Sequence, residues 1–244
     1  MGEFTVRAAG KADIRPLAAA LAAAFEEDPQ FLWALKGLSR RRARLERIFT
    51  TLLRWECLPH RAVDLIAQGA DVLGGALWLP PGKAHPPLPR QLAAATGFLR
   101  GYGRGILRGN AFQSASFRAH PREPHWYLYV IGVRPEHQGA GLSSRLLRPR
   151  LDAADAAGLP AYLESSNLRN VPLYEHFGFE VTGRLQLPAG APEIPTMWRS
   201  GAARGEGRAA LRREDEERQI SPRSLARASA RIASPSASER RSRT

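Results

Sequence analysis

Residues 126–157, WYLYVIGVRPEHQGAGLSSRLLRPRLDAADAA, decide how the rest of the chain is read. Trp126 to Val133 are rich in aromatic and β-branched side chains and predict a buried strand. Arg134-Pro135 ends it, because proline has no N–H to give to a ladder. Gln138-Gly139-Ala140-Gly141-Leu142-Ser143 is a small-residue turn that opens a helix. On that helix Leu142, Leu146, Leu147 and Leu151 fall at helical spacing and make one face apolar. A strand, such a turn and a helix N-terminus together form an anion site. Successive N–H groups have no partner within the helix, and its dipole adds about half a positive charge there. Side chains at Gly139, Ala140 and Gly141 would only obstruct a phosphate approaching that backbone. No Gly-Lys-Ser/Thr follows the turn and no G-x-G-x-x-G lies in it, so neither a Walker loop nor a dinucleotide fingerprint fits.

The turn resembles the Q/R-x-x-G-x-G/A signature of the GCN5-related N-acetyltransferases, the GNAT family. Gln138, Gly141 and Ser143 stand at its defining positions; Ser143 departs from Gly/Ala but is small enough for the approach. A second stretch, LESSNLRNVPLYEHFGF from Leu163 to Phe179, resembles the later half of the same family's core. There a strand ends, a short helix carries Asn and Tyr, and Gly-Phe leads into the next strand. The resemblance spans residues 4–199, is strongest over 124–183, and is most similar to the puromycin N-acetyltransferase-like branch. It implies an α/β GNAT fold: a mixed, mostly antiparallel sheet of six to seven strands flanked by helices, splayed between the fourth and fifth. It also implies acetyl-coenzyme A (acetyl-CoA) as the acyl-donor co-substrate. Gln138, Gly139, Ala140, Gly141, Leu142 and Ser143 would hold the pyrophosphate. Ile131, Gly132 and Val133 would meet the acetyl-pantetheine arm, with a backbone N–H near Val133 serving the oxyanion. Asn170 is implied as a cofactor contact, a helix N-cap being its structural alternative.

Acetyl transfer from a thioester to an amine requires that the amine lose a proton, the oxyanion be stabilised and the leaving thiolate be protonated. Reactants held side by side need no covalent nucleophile. Tyr174 matches the family's tyrosine, whose hydroxyl sits near the coenzyme A sulfur; a phenol is neutral at pH 7 and can donate. Packing on the sheet is its plain alternative. Glu164 ends the neighbouring strand and matches a glutamate of the puromycin-like branch. It would orient a cationic amine or accept its proton, or else pair with an arginine. Alternation along the central strand places His125, Tyr127, Tyr129 and Ile131 on one face unless a bulge intervenes. Cys57 lies in an amphipathic helix and reads as a small apolar residue, not an acetyl carrier. His120 and His125 lack paired metal-ligand spacing, so no metal is expected.

The expected activity is acetyl-CoA-dependent acetylation of a primary amine on a small molecule, an antibiotic-like metabolite among the candidates. Acetylation of protein lysine or N-terminal amines and non-catalytic acyl-CoA binding are the competing readings. Tyr174 with Glu164 favours an enzyme over a sensor, and proline- and glycine-rich segments framing a pocket favour a small acceptor.

Elsewhere the pattern is compatible with this core. Phe4 to Arg7 predict a strand. Asp13 is placed to cap a helix lined by Leu17, Leu21 and Phe25, and Asp28-Pro29 to stop it. A second helix starts at Ser39, with Leu45, Ile48, Phe49, Leu52 and Leu53 on one face and Arg40, Arg41, Arg44 and Arg47 opposite, read as solvated, with attraction of coenzyme A's phosphates as the alternative. Ala62–Ala67 and Val72–Leu79 form a hairpin. Pro89 to Phe117 is a helical insert broken by glycines, and the resemblance implies that it helps enclose the acceptor. Ala161–Ser165, Phe179–Leu187 and Thr196–Trp198 complete the strands, with a short helix over Asn170–Phe177 and Gly178 at its C-cap.

Hydrophobic residues make up 43% of the 244, enough for one buried domain over 1–200. No apolar run reaches the length of a membrane span, and no basic-then-apolar leader is visible, so a cytoplasmic protein is expected. Cys57 is the single cysteine, which excludes an internal disulfide and a cysteine zinc cluster. The net charge of +13 would ordinarily raise nucleic-acid binding. Residues 201–244, however, hold eleven arginines against six acidic residues with no interleaved aromatics, so stacking on bases is not provided for. A solvated surface is the preferred reading. That Arg/Ser/Ala-rich segment is too poor in bulky apolar residues to offset its ordering entropy and is expected to be a disordered tail. A protein ending at Ser200 should therefore keep the full chain's melting temperature and acetyl-CoA affinity. Loss of folding on that truncation would show the segment packs on the domain.

Overall fold

A computed structural model of the protein describes residues 3–201; the tail read from the sequence lies, beyond Gly201, outside the described residues. The chain begins with β1 (Phe4–Ala8) and α1 (Ile14–Ala24), then a short α2 (Pro29–Ala34) and α3 (Arg41–Thr51). From Leu52 to Cys57, α3 loosens into a π-helical turn before β2 (Val63–Gln68) and β3 (Asp71–Leu79). The insert is two helices, α4 (Leu88–Tyr102) and α5 (Ile106–Ala119). Next come β4 (Trp126–Val133), α6 (Leu142–Ala156), β5 (Ala161–Glu164), α7 (Val171–His176), β6 (Glu180–Arg184) and β7 (Pro195–Arg199).

The seven strands make one sheet in the order β1-β2-β3-β4-β5-β7-β6. Every pair is antiparallel except β4 with β5. Leu17, Leu21, Leu45 and Phe49 of α1 and α3 pack on one face of the sheet with Leu65 and Leu77. Leu142, Leu146, Leu147 and Leu151 of α6 pack on the other with Ile66, Leu128 and Leu163, so the apolar stripe read from 142–151 is buried as expected. The result is an α/β layering with helices on both sides of the sheet.

Three local expectations are corrected. Asp13 does not cap α1: its carboxylate accepts from the Arg7 guanidinium at 2.7 and 2.8 Å and from the Gly10 N–H at 2.8 Å. Asp28-Pro29 ends one helix but also starts another. Asp28 accepts from the Gln30 N–H at 2.9 Å, and Pro29 takes the first helical position, where a missing N–H costs nothing. Third, a bulge does intervene in β4. Leu77 pairs with Val130 but Trp78 with Leu128, leaving Tyr129 extra. Tyr127 and Tyr129 therefore pack toward the α1–α3 side, whereas Ile131 packs with the α6 side.

The insert's glycines also find a physical reason. A Cβ at Gly105 would collide with the Ala34 carbonyl oxygen, and one at Gly101 with the Ile48 side chain. These positions let α4 and α5 press onto α2 and α3. Arg44, read as solvated, instead donates to the Gly101 carbonyl at 3.0 Å and ties α3 to the end of α4.

Candidate functional site

β4 and β5 pair only through Trp126, Tyr127 and Leu128. Past Leu128 the two strands part, and the sheet edge of β4 from Tyr129 to Val133 is left without a strand neighbour on that side. Two cavities open there. A cleft of about 790 Å³ runs from the end of α1 across Ile131, Gly132 and Val133 to the start of α6. Its size falls within the ~300–1,000 Å³ typical of small-molecule and cofactor sites. A smaller cavity of about 130 Å³ lies on the α1–α3 side, roofed by α4 and α5. Phe25, Ile131, Asn170 and Tyr174 line both.

Of the residues expected at the cofactor, Ile131, Gly132, Val133, Gln138, Gly139, Gly141, Leu142, Ser143 and Asn170 all line the cleft; Ala140 is exposed and does not. Gly139 and Gly141 hold φ of 80° and 72°, which L side chains rarely adopt, and nothing lies within 4 Å of where a Cβ would stand. The turn is thus glycine-rich both for its backbone angles and for the open space above it. Gln138 serves the turn itself: its Nε2 donates to the Val133 carbonyl at 3.1 Å and its N–H to the Pro135 carbonyl at 3.2 Å. Donors for an anion therefore fall to the first turn of α6, whose N–H groups lack intrahelical acceptors. Arg42 and Arg169 line the same cleft with Glu26, Glu27 and Asp28, and Arg42 pairs with Glu26 at 3.1 Å; neither arginine was singled out from sequence. Asn170 stands at the N-cap position of α7 but caps nothing with its side chain, and Asn167 accepts from Arg169 N–H instead.

Tyr174 is 5% exposed, at the wall shared by both cavities. Burial and the nearby Asp28 carboxylate raise its phenol, so it stays protonated at neutral pH. Asp28 is the residue that sequence reading took only as a helix stop. It is buried, which raises its carboxyl, and it accepts from the Ser166 hydroxyl at 2.6 Å. That bond ties the end of α1 to the chain leaving β5.

Glu164 lines the smaller cavity. The arginine partner considered for it does not occur among the described residues. Its oxygens accept from Ser116 at 2.7 and 3.0 Å, Tyr127 at 2.9 Å and Tyr162 at 3.1 Å. Burial raises its carboxyl, and these three hydroxyls work in the opposite direction. Ser116 reaches it from α5, so the insert is bonded directly to the sheet at this point.

A second carboxyl was not found from sequence. Glu56, in the π-helical turn, is 8% exposed and pushed up to about 7, by burial first, against a hydrogen bond from Tyr129 and the charge of Arg90. Adjacent Cys57 is fully buried, and burial raises its thiol, the reverse of what a nucleophile needs. His120 and His125 stack with ring centroids 4.8 Å apart; among the described residues no His, Cys, Asp or Glu group could hold a metal. No helix among them is long and apolar enough to cross a membrane.

Glu56 has a consequence for stability. The folded protein keeps its proton up to about pH 7, whereas an unfolded chain releases it near 4.5, so the folded state binds more protons across that window. Stability then falls as pH rises from 4.5 to 7, by at most ~3 kcal/mol from this group. Glu56→Gln should flatten that part of the melting-temperature profile, and an unchanged slope would remove the assignment.

The description of the acetyltransferase (GNAT) family fits residues 77–179, which include β4, the glycine turn, β5 and α7. Over 192 residues the chain is 28% identical to an uncharacterized N-acetyltransferase of Schizosaccharomyces pombe, covering 75% of this chain and 77% of that one. A crystal structure from Corynebacterium glutamicum, described as histone acetyltransferase HPA2 and related acetyltransferase, superposes with a TM-score of 0.62 at 26% identity. The match covers 83% of this chain and 98% of that one. The polyamine N-acetyltransferase of Drosophila melanogaster shares the fold, with a TM-score of 0.58 at 13% identity over 81% and 100% of the two chains. In these comparisons, as in the splayed sheet and the turn between β4 and α6, the chain is similar to acetyltransferases of the GNAT family.

Proposed function

We propose that the protein transfers an acetyl group directly from acetyl-CoA to the primary amine of a small molecule. The observation that carries this reading is Tyr174, a neutral phenol in the wall between a cofactor-sized cleft and a smaller cavity. Three features of the cleft support the acyl donor: a helix N-terminus of the right polarity, two glycines open to their surroundings, and Arg169 for further phosphate charge. Acetyl-CoA supplies the activated thioester. The free edge of β4 from Tyr129 to Val133 offers backbone N–H and C=O groups to its amide-bearing arm. Phe25 and Ile131 line both cavities, and the two reacting groups would meet beside them.

The amine enters the smaller cavity as an ammonium and must lose a proton before it attacks. Glu164, held by three hydroxyls, is fixed in place and orients the ammonium by charge. The proton passes to Glu164 or through water from there. Tyr174 donates its proton to the departing sulfur, the nitrogen's second proton restores the phenol through solvent, and one amide and one thiol result. The roof over this cavity, α4 and α5, supports a small acceptor over a polypeptide, and an antibiotic-like amine of the puromycin type is among the candidates. A cytoplasmic location accords with the absence of a membrane-length apolar helix among the described residues.

Thiol release from acetyl-CoA across an amine panel that includes puromycin tests the reaction; no release with any amine would overturn it. Ser143→Glu tests the cleft, because a glutamate in the first turn of α6 suits the helix dipole yet repels phosphate. Calorimetry should show acetyl-CoA affinity falling more than about tenfold, ~1.4 kcal/mol, with no loss of melting temperature. Tyr174→Phe keeps the ring and removes the donor. Its kcat should fall by roughly ten- to a thousand-fold, with KM for acetyl-CoA within a few-fold of wild type. Wild-type kcat with chemistry rate-limiting would leave Tyr174 as packing. In the same assay Glu164→Gln should raise the amine KM wherever the amine is cationic; a defect that recovers at high pH would make it the base instead.

A further inference from the structure

We infer that the acceptor is a primary amine on an aryl-bearing, otherwise apolar skeleton with no anionic group, bound as its ammonium beside Glu164. The inference rests on the acetyl-transfer reading for the fate of the amine, and on the cavity alone for its class. Phe31, Phe49, Phe98, Tyr102, Phe112 and Tyr129 all face this space. Rings from α2, α3, α4, α5 and β4 converge there, and Phe31 and Phe49 are already edge-packed, with centroids 5.7 Å apart. Such a surface gains from burying another ring in offset or edge contact, and its π faces attract a cation.

The charge balance sharpens the choice. Glu164 is the carboxylate lining the cavity, and its hydrogen-bond partners are the hydroxyls of Ser116, Tyr127 and Tyr162. Three neutral donors fix and solvate the anion but do not neutralise it. Among the described residues no arginine or lysine lines this cavity, whereas two arginines line the neighbouring cleft. The missing counter-charge is thus left for the ligand to bring. A carboxylate or phosphate on the acceptor would be desolvated without a cationic partner, beside an existing anion. Gln30, Asn110, Gln113, Asn170 and Ser166 are the neutral polar side chains at hand besides the tyrosine hydroxyls, and the aromatic rings that line the cavity outnumber them. One lining carboxylate also matches one ammonium better than the several of a polyamine.

The test compares four amines with the full-length protein: 2-phenylethylamine; L-phenylalanine, which adds a carboxylate to the same skeleton; glucosamine; and spermidine. Thiol release from acetyl-CoA should give 2-phenylethylamine a kcat/KM at least about a hundredfold above each of the others. Calorimetric titration without acetyl-CoA should show saturable binding of 2-phenylethylamine, weakened by about tenfold or more in Glu164→Gln. Binding of 2-phenylethylamine without thiol release from any amine would uphold the class and overturn the transfer reading. Equal or faster turnover of phenylalanine, glucosamine or spermidine would overturn the class and leave transfer standing. Absence of saturable binding of 2-phenylethylamine, or binding unchanged in Glu164→Gln, would also overturn the inference.

Discussion

The parting of β4 from β5 after Leu128 is the constraint on which the site depends. Backbone polar groups inside a sheet are paired, because an unpaired N–H or C=O away from water is costly. Here the pairing stops after three residues and β4 runs on to Val133 with β3 alone. The bulge at Tyr129 bends the strand where the gap begins. Beyond Glu164 the chain leaves β4 for β7, with the Ser165 N–H donating to the Pro195 carbonyl at 3.0 Å. The sheet thus leaves the β4 edge from Tyr129 to Val133 unpaired on one side, while its core remains closed by α1 and α3 on one face and α6 on the other.

The bonds around that gap are polar and cross between distant parts of the chain. Ser166 to Asp28 joins the segment after β5 to the corner between α1 and α2. Ser116 to Glu164 joins the insert to the end of β5. Each is part-buried, so losing either partner would leave a desolvated polar group, a cost larger than the net gain of one hydrogen bond. The division of charge follows the same geometry. The cleft has a helix N-terminus and two arginines, Arg42 paired with Glu26, along with Glu27 and Asp28, whereas the smaller cavity has Glu164 and aromatic rings but, among the described residues, no arginine or lysine.

The strand, turn and helix over 126–156, the apolar stripe of α6 and the short helix bearing Tyr174 were all legible in the chain. Each is a contiguous pattern whose periodicity or turn chemistry acts over a few residues. So was the hairpin, which forms with Gly69 at φ 59° between β2 and β3. Glu164 and Tyr174 could be singled out by the family pattern, but not the hydroxyl cage of one or the carboxylate beside the other. Asp28 and Glu56 were missed because their local roles, a helix boundary and a helical turn, are ordinary. Their chemistry comes from burial against residues far along the chain.

What the sequence determined by itself is therefore the local currency of the fold. It set where strands and helices run, which faces are apolar, and where glycines allow a left-handed turn before α6. Tertiary structure alone decided that Ile131 leaves the face of Tyr127 and Tyr129, since one bulged residue reverses alternation and no local signal marks it. It also decided that Arg44 anchors the insert, that Gln138 braces the turn, and that Glu164 meets hydroxyls and no arginine. The physical reason is common to all of these. Burial and electrostatic environment are set by which distant segments come together, and side-chain identity states only what a group can do once its neighbours are known.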